Sequence, residues 1–172
     1  NAVAYNLPIG KENDFKGVVD LLTEKAIIWE DDETGAKFTE VEIPAEMVEE
    51  VKKAREKLVE EISGTDDVLM EKYLGGEQIS VAELKEALRR AVIANKIVPV
   101  LASSSLRNKG VQPMLDAVVE YLPSPQDIAI VSGHNPKTGE NEERKADSGT
   151  PLSALAFKIQ VDPHVGKLTY IR

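Results

Sequence analysis

Cysteine is absent from the sequence, so neither a disulfide framework nor a thiolate metal site can form, and a reducing compartment fits. Histidine is nearly absent. His134 and His164 lie in separate segments, which argues against a zinc cluster, and no metal site is expected. No apolar run reaches the ~20 residues that span a bilayer, and no signal peptide opens the chain. The expectation is a cytoplasmic protein with no membrane partner. Basic residues are outnumbered, 21 Lys and Arg against 30 Asp and Glu, for a formal charge of −9. Phosphate binding needs a concentrated basic face, so direct nucleic-acid binding is not expected. An acidic protein can still dock on basic protein partners.

The motifs of a nucleotide enzyme are also missing. No Gly-x-x-x-x-Gly-Lys-Ser/Thr occurs, so there is no amide cradle with its lysine. Two Asn-Lys pairs, Asn95-Lys96 and Asn108-Lys109, lack the aspartate that would read guanine, since Val98 and Val111 stand there. Asp14-x-x-Gly17 and Asp32-x-x-Gly35 fit a loose Asp-x-x-Gly pattern but fall in expected turns. No catalytic residue is expected. The carboxylates do not make a glycosidase pair either, for want of a sugar platform.

What is present is an ordinary globular composition, 42% hydrophobic and 30% charged over 172 residues, enough for one or two domains with a buried core. Residues 3–43 read as β-rich, with "KAIIWE" and "KFTEVEI" joined as a hairpin across Asp31-Asp32-Glu33-Thr34-Gly35. Trp29 and Phe38 read as core or cross-strand neighbours. Pro44 opens a helix in which Met47, Val51, Ala54, Leu58 and Ile62 form one apolar stripe. Glutamates, among them Glu49, Glu50, Glu56 and Glu60, fill its outer positions. A shorter helix follows Thr65, read as its N-cap, and stops at Gly75-Gly76. Ser80 and Glu83 predict a capping box ahead of a helix that buries Leu84, Ala87, Leu88, Ala91 and Val92.

A strand at 97–102 leads into three serines, Ser103, Ser104 and Ser105, then Leu106 and the turn Arg107-Asn108-Lys109-Gly110. A helix over 111–121 follows, with Val111, Leu115, Val118 and Leu122 expected to face inward. Strand, polar loop and helix is how an open α/β sheet builds a ligand site at the carboxyl ends of its strands. Serine is also common at ordinary turns, so the pattern alone leaves a capped connection open beside a ligand loop. The glycine- and proline-containing stretch 123–150 reads as a linker. Beyond it, two strands joined by "DPHVG" end at the last residue, which reads as a cut.

Four blocks, "LPIGKENDFKGVVDLLTEKA", "MEKYLGGEQISVAELKEALRRAV", "NKGVQPMLDAVVEYLPSP" and "PLSALAFKIQVDPHVGKLTYIR", together resemble bacterial elongation factor G, the translocation GTPase. They run in the family's order from Val3 to Arg172. The resemblance implies an α/β fold in three parts. Residues 1–122 would be the C-terminal part of the GTP-binding domain, including the G-prime insert at about 10–96. A linker at 123–150 and the start of β-barrel domain II at 151–172 would follow. It implies that Ser103-Ser104-Ser105-Leu106 matches the fifth guanine motif, usually Gly-Ser-Ala-Leu, whose backbone amides help hold the guanine carbonyl oxygen. Ser103 stands in place of glycine and gives up its freedom at positive φ. Ser105 stands in place of alanine. GTP and Mg2+ would be bound by the whole protein, and the phosphate loop would precede residue 1, so this chain is expected to be inactive and to bind no cofactor. The expected partners are the ribosome and its large-subunit stalk protein, facing Glu49, Glu50, Glu56 and Glu60. Incomplete sheets would favour pairing with a second copy. A paralogous translational GTPase, of the ribosome-recycling or tetracycline-protection type, and a stand-alone interaction module are the alternatives.

Overall fold

The computed structural model describes residues 1–30, 34–127 and 130–172. The Asp31-Asp32-Glu33 part of the hairpin turn, and with it Asp32 of the second Asp-x-x-Gly pattern, lies outside the described residues. The fold is mixed α/β, with four α-helices and four small sheets among the described residues, and no helix among them is long and apolar enough to cross a membrane. The chain divides into two compact units, Asn1–Leu122 and Pro123–Arg172.

In the first unit β2 (Asn6–Ile9), β3 (Gly17–Asp20), β4 (Lys25–Trp29) and β5 (Phe38–Val41) form an antiparallel meander. Alternate residues of a strand point to opposite faces, and both faces of this sheet are covered. Val19 and Ala26 point into the main core, while Val18 and Trp29 join Phe15 in a smaller cluster that also packs on Ala102. Trp29 and Phe38 are cross-strand partners with rings 5.4 Å apart. Flanking the meander in sequence, β1 (Ala2–Ala4) runs parallel to β6 (Val98–Val100), pairing Ala2 with Val98 and Ala4 with Val100. The chain from β2 to the end of the third helix thus leaves and returns at one place.

Between them lie α1 (Val48–Ser63), entered through a 3-10 turn at Ala45–Met47, then α2 (Asp67–Leu74) and α3 (Val81–Ile93). The α1 stripe buries Val51, Leu58 and Ile62. From the same helix the Arg55 guanidinium donates to the carbonyls of Leu21 and Leu22 at 2.6 and 2.8 Å and pairs with Glu24. That fastens the β3–β4 turn. The α3 capping box forms as the spacing predicts, with Ser80 and Glu83 bonded reciprocally.

Two expectations are corrected here. The N-cap of α2 is Asp66, whose carboxylate accepts from the amides of Val68 and Leu69. Thr65 instead turns its hydroxyl back to the Ile62 carbonyl at 2.8 Å, closing α1. In α4 (Val111–Tyr121) the buried residues are Ala117 and Tyr121. Leu115, Val118 and Leu122 are 54, 45 and 50% exposed. The helix carries two apolar stripes, and the inner one is selected by Tyr121, whose hydroxyl meets that of buried Tyr5 at 3.2 Å. Burial pushes both phenol pKa values up, so the pair stays neutral and hydrogen-bonded. Lys85 and Arg89 of α3 fix the end of α4 through the Glu120 carboxylate and carbonyl.

In the second unit the stretch read as a linker holds a hairpin, β7 (Ile130–His134) with β8 (Asn141–Lys145). Asn135 shapes its turn by accepting from Lys137 N at 2.9 Å, and Gly139 supplies a positive φ of 74°. Turn chemistry outweighed the polar composition. β9 (Ala156–Asp162) and β10 (Gly166–Ile171) form the expected second hairpin. Asp162 opens its turn by accepting from the amides of His164 and Val165.

Candidate functional site

The serine loop leaves the carboxyl end of β6. Its first anchor is the buried Asn6 of β2, whose side-chain oxygen accepts from Ala102 N at 2.7 Å while its amide nitrogen donates to Ala102 O at 3.3 Å. A side-chain amide thus takes the place of a strand partner where the strand ends. Ser104 and Lys109 then exchange two backbone hydrogen bonds of 2.8 and 3.1 Å, closing the loop across a 3-10 turn at Ser105–Arg107. Asn108 takes the left-handed conformation at φ 55°, which asparagine tolerates. Gly110 follows at φ 80°, where an added Cβ would stand 3.1 Å from that of Ser103. Ser103 itself is not among the residues at positive φ, so a side chain there meets no left-handed backbone strain.

Ser103, Ser105 and Leu106 are exposed and Ser104 is half-buried. The amides of Ser104, Arg107, Asn108 and Lys109 all donate within the loop. Those of Ser105 and Leu106 donate to no acceptor among the described residues. Two adjacent N–H groups without an acceptor among those residues, on exposed residues of the loop that follows β6, can take a carbonyl or an anionic oxygen. That is a contact for one edge of a ligand. It cannot replace a phosphate cradle with charge-assisted bonds.

Beyond Asn6, two side chains of the loop and its exit, Arg107 and Gln112, tie it to neighbouring segments. The Arg107 guanidinium donates to the carbonyl of Asn13 at 2.7 Å and to its side-chain oxygen at 2.9 Å. The Gln112 amide donates to Gly35 O at 2.7 Å. The available signal was a polar residue inside an apolar block, Asn6 in "AYNLPI"; nothing local marks Asn13 or Gln112.

Of the five glutamates of α1, the four predicted to meet a partner, Glu49, Glu50, Glu56 and Glu60, are all exposed. At about 100° per residue, Glu49, Glu56 and Glu60 fall within about 40° of one another on the helix, and Glu50 points about 100° away. Lys53 falls on the same face as the first three. Beside it, Glu56, Glu60 and Glu61 share an open groove of about 710 Å³ with Lys53, Lys57 and Lys96. The structure therefore gathers three of the four, within a surface of mixed sign. Among the described residues no group of three His, Cys, Asp or Glu side chains is placed to hold a metal ion.

No protein-family model matches the chain. The crystal structure of a protein from Thermus thermophilus is similar to 99% of the chain at 33% sequence identity, with a TM-score of 0.71. The chain spans 23% of that protein's length. The arrangement of elements described above is therefore shared along the whole chain with a segment of a much longer protein.

Proposed function

We propose that the chain forms part of a translational GTPase of the elongation factor G type. In this reading it supplies the last strand, loop and helix of the guanine-nucleotide domain, the insert that precedes them, and the first hairpin of the following domain. The whole protein would drive translocation of messenger and transfer RNA on the ribosome with GTP. The observation that carries the reading is the pair of amides without an acceptor among the described residues, at exposed Ser105 and Leu106, on the loop that resembles the family's base-contacting motif. Their position at the end of a strand of a parallel pair is where α/β sheets bind ligands.

The residues at hand do not fit the triphosphate or its Mg2+. The sequence has no phosphate loop, and no acidic cluster of ligand geometry exists among the described residues. The chain alone should show no micromolar binding of GDP by calorimetry, because a base-edge contact lacks the charge-assisted bonds that hold phosphates. Ribosome-stimulated GTP hydrolysis by the protein of the complete reading frame tests the reading. A frame without a phosphate loop ahead of Asn1 would overturn it and favour a stand-alone interaction module. A whole protein that hydrolyses GTP on the ribosome without translocating would point to a recycling or tetracycline-protection factor.

The insert's part in this reading is to meet the ribosomal stalk protein through Glu49, Glu56 and Glu60, with Glu50 at the margin. Exposed charge pairs contribute little each and are screened by salt, so the contact should be weak and salt-sensitive. Reversing the three glutamates to lysine should abolish chemical-shift changes in the labelled stalk domain. Unchanged shifts would remove this surface from consideration.

A further inference from the structure

The serine loop is held at its entry, its tip and its exit by the β2–β5 sheet and the connections between its strands. Asn6 of β2 bonds both backbone groups of Ala102 at the loop's entry. Asn13, in the 3-10 turn between β2 and β3, takes two hydrogen bonds from Arg107 at the loop's tip. Gly35, in the β4–β5 connection, accepts from Gln112 just after the loop's exit. Gly35 also lies so close that an added Cβ would stand 2.3 Å from Asn108 O and 2.5 Å from Asn108 Cβ. At the loop's entry, Ala102 packs on the cluster of Val18 and Trp29, from that sheet, and Phe15, just ahead of β3.

We infer that the β2–β5 sheet, with its connections, is the positioning scaffold of the serine loop, with Asn6, Asn13 and Gly35 as points of hold among the described residues. Movement of this sheet is then movement of the Ser105 and Leu106 amides. A partner that engages the insert can change how the loop meets its ligand without touching the loop. The guanine role of those amides rests on the functional reading above. The mechanical hold does not.

Arg107 and Asn13 are both exposed, so their variants should fold. Amide hydrogen exchange on the 172-residue chain is the readout. Arg107→Ala and Asn13→Ala should each speed exchange of Asn108 and Lys109 by roughly three- to tenfold, the range expected for loss of one or two hydrogen bonds. Leu58 and Leu88 amides, deep in the helices, should not change. The double variant should add little to either single, since both remove one contact. Arg107→Lys, which keeps a single donor group, should fall between wild type and Arg107→Ala. Gly35→Ala should move the amide resonances of Ser105 to Lys109 from a position 70 residues or more away in sequence. Unchanged loop exchange in both single variants, or fully additive effects, overturns the scaffold. Titration with guanosine to about millimolar concentration, where even a lone base-edge contact registers, separates the two ideas. Shifts confined to Ser105 and Leu106, reduced in Arg107→Ala, support both. Loop exchange that responds to the variants without any guanosine shift upholds the scaffold and overturns the guanine role.

Discussion

The helices of the first unit and the hairpins of the second put similar apolar residues to opposite use. Leu88 of α3 is 0% exposed and sits among Val51, Leu58, Ile62 and Leu84. On β9, Phe157 and Ile159 are 60 and 62% exposed, and the two-stranded sheet they belong to has no other strand beside it among the described residues. An isolated hairpin is marginally stable in water, because one pair of strands cannot bury a face. Apolar spacing therefore foretells an element and its amphipathic side, but burial depends on what stands opposite. The same contrast runs through α4, whose Ala117 and Tyr121 are buried while Leu115 and Leu122 are half in water.

The largest expected effect tests this contrast directly. Leu88→Ala should destabilise the first unit by about 2–5 kcal/mol, the transfer and cavity cost of a fully buried leucine. Ile159→Ala should change stability by less than about 0.5 kcal/mol, as an exposed position does. Urea unfolding followed at Trp29 reports the first unit, and resolved amides of β9 report the second. Comparable losses from the two substitutions would break the comparison.

A smaller effect should appear in solution behaviour. The exposed face of β9 and the unpaired edges of its sheet offer both apolar surface and free backbone groups to a second copy. Light scattering over a dilution series should detect self-association at high micromolar concentration. Replacing Phe157 and Ile159 by lysine should weaken it by roughly tenfold or more, since burying one such side chain is worth about 1.5–3 kcal/mol. A strict monomer whose hairpin is nevertheless protected from exchange would show that the face needs no second copy.

What could be read in advance divides along the same line. The capping box at Ser80 and Glu83 was legible because both partners lie three residues apart. The α1 stripe and the β4–β5 hairpin were legible from period and turn residues. The inner face of α4 was not, because Tyr121 is chosen by Tyr5, more than a hundred residues earlier in the chain. The loop's location was visible in the change from apolar strand to serines. Beyond the out-of-place Asn6, its hold on Asn13 and Gly35 was invisible, since those contacts join segments that only the folded sheet brings together. The hairpin at 130–145 carried its own signal in Asn135 and Gly139, which the polar composition around them obscured.

The smallest effect concerns acid. Glu83 is held down to a pKa of about 2 from an ordinary 4.5, first by the hydrogen bond from Lys72 at 2.5 Å and then by the Ser80 hydroxyl and amide. Asp66 is also lowered, chiefly by its hydrogen bond from Arg90, with the Leu69 amide contributing. A carboxylate with a depressed folded-state pKa adds stability that is present above its unfolded value and lost as pH falls through the folded one. For Glu83 that window runs from 4.5 down to about 2, so the start of α3 should stay intact at pH 5 and loosen below about pH 3. The second unit answers with Asp162, lowered by the His164 and Val165 amides, so its hairpin turn should loosen in acid too. The two differ in cause. Glu83 depends first on a charge, and exposed charge interactions are screened by salt, whereas Asp162 depends on backbone amides. Carboxyl-carbon titration by NMR should find the Glu83 midpoint moving up toward 4.5 in Lys72→Met. It should move less in Ser80→Ala, and added salt should raise it more than the Asp162 midpoint. Equal salt responses at the two carboxylates would show that the lysine pair does not set the Glu83 value, leaving the helix cap and the hairpin turn governed by the same backbone contacts.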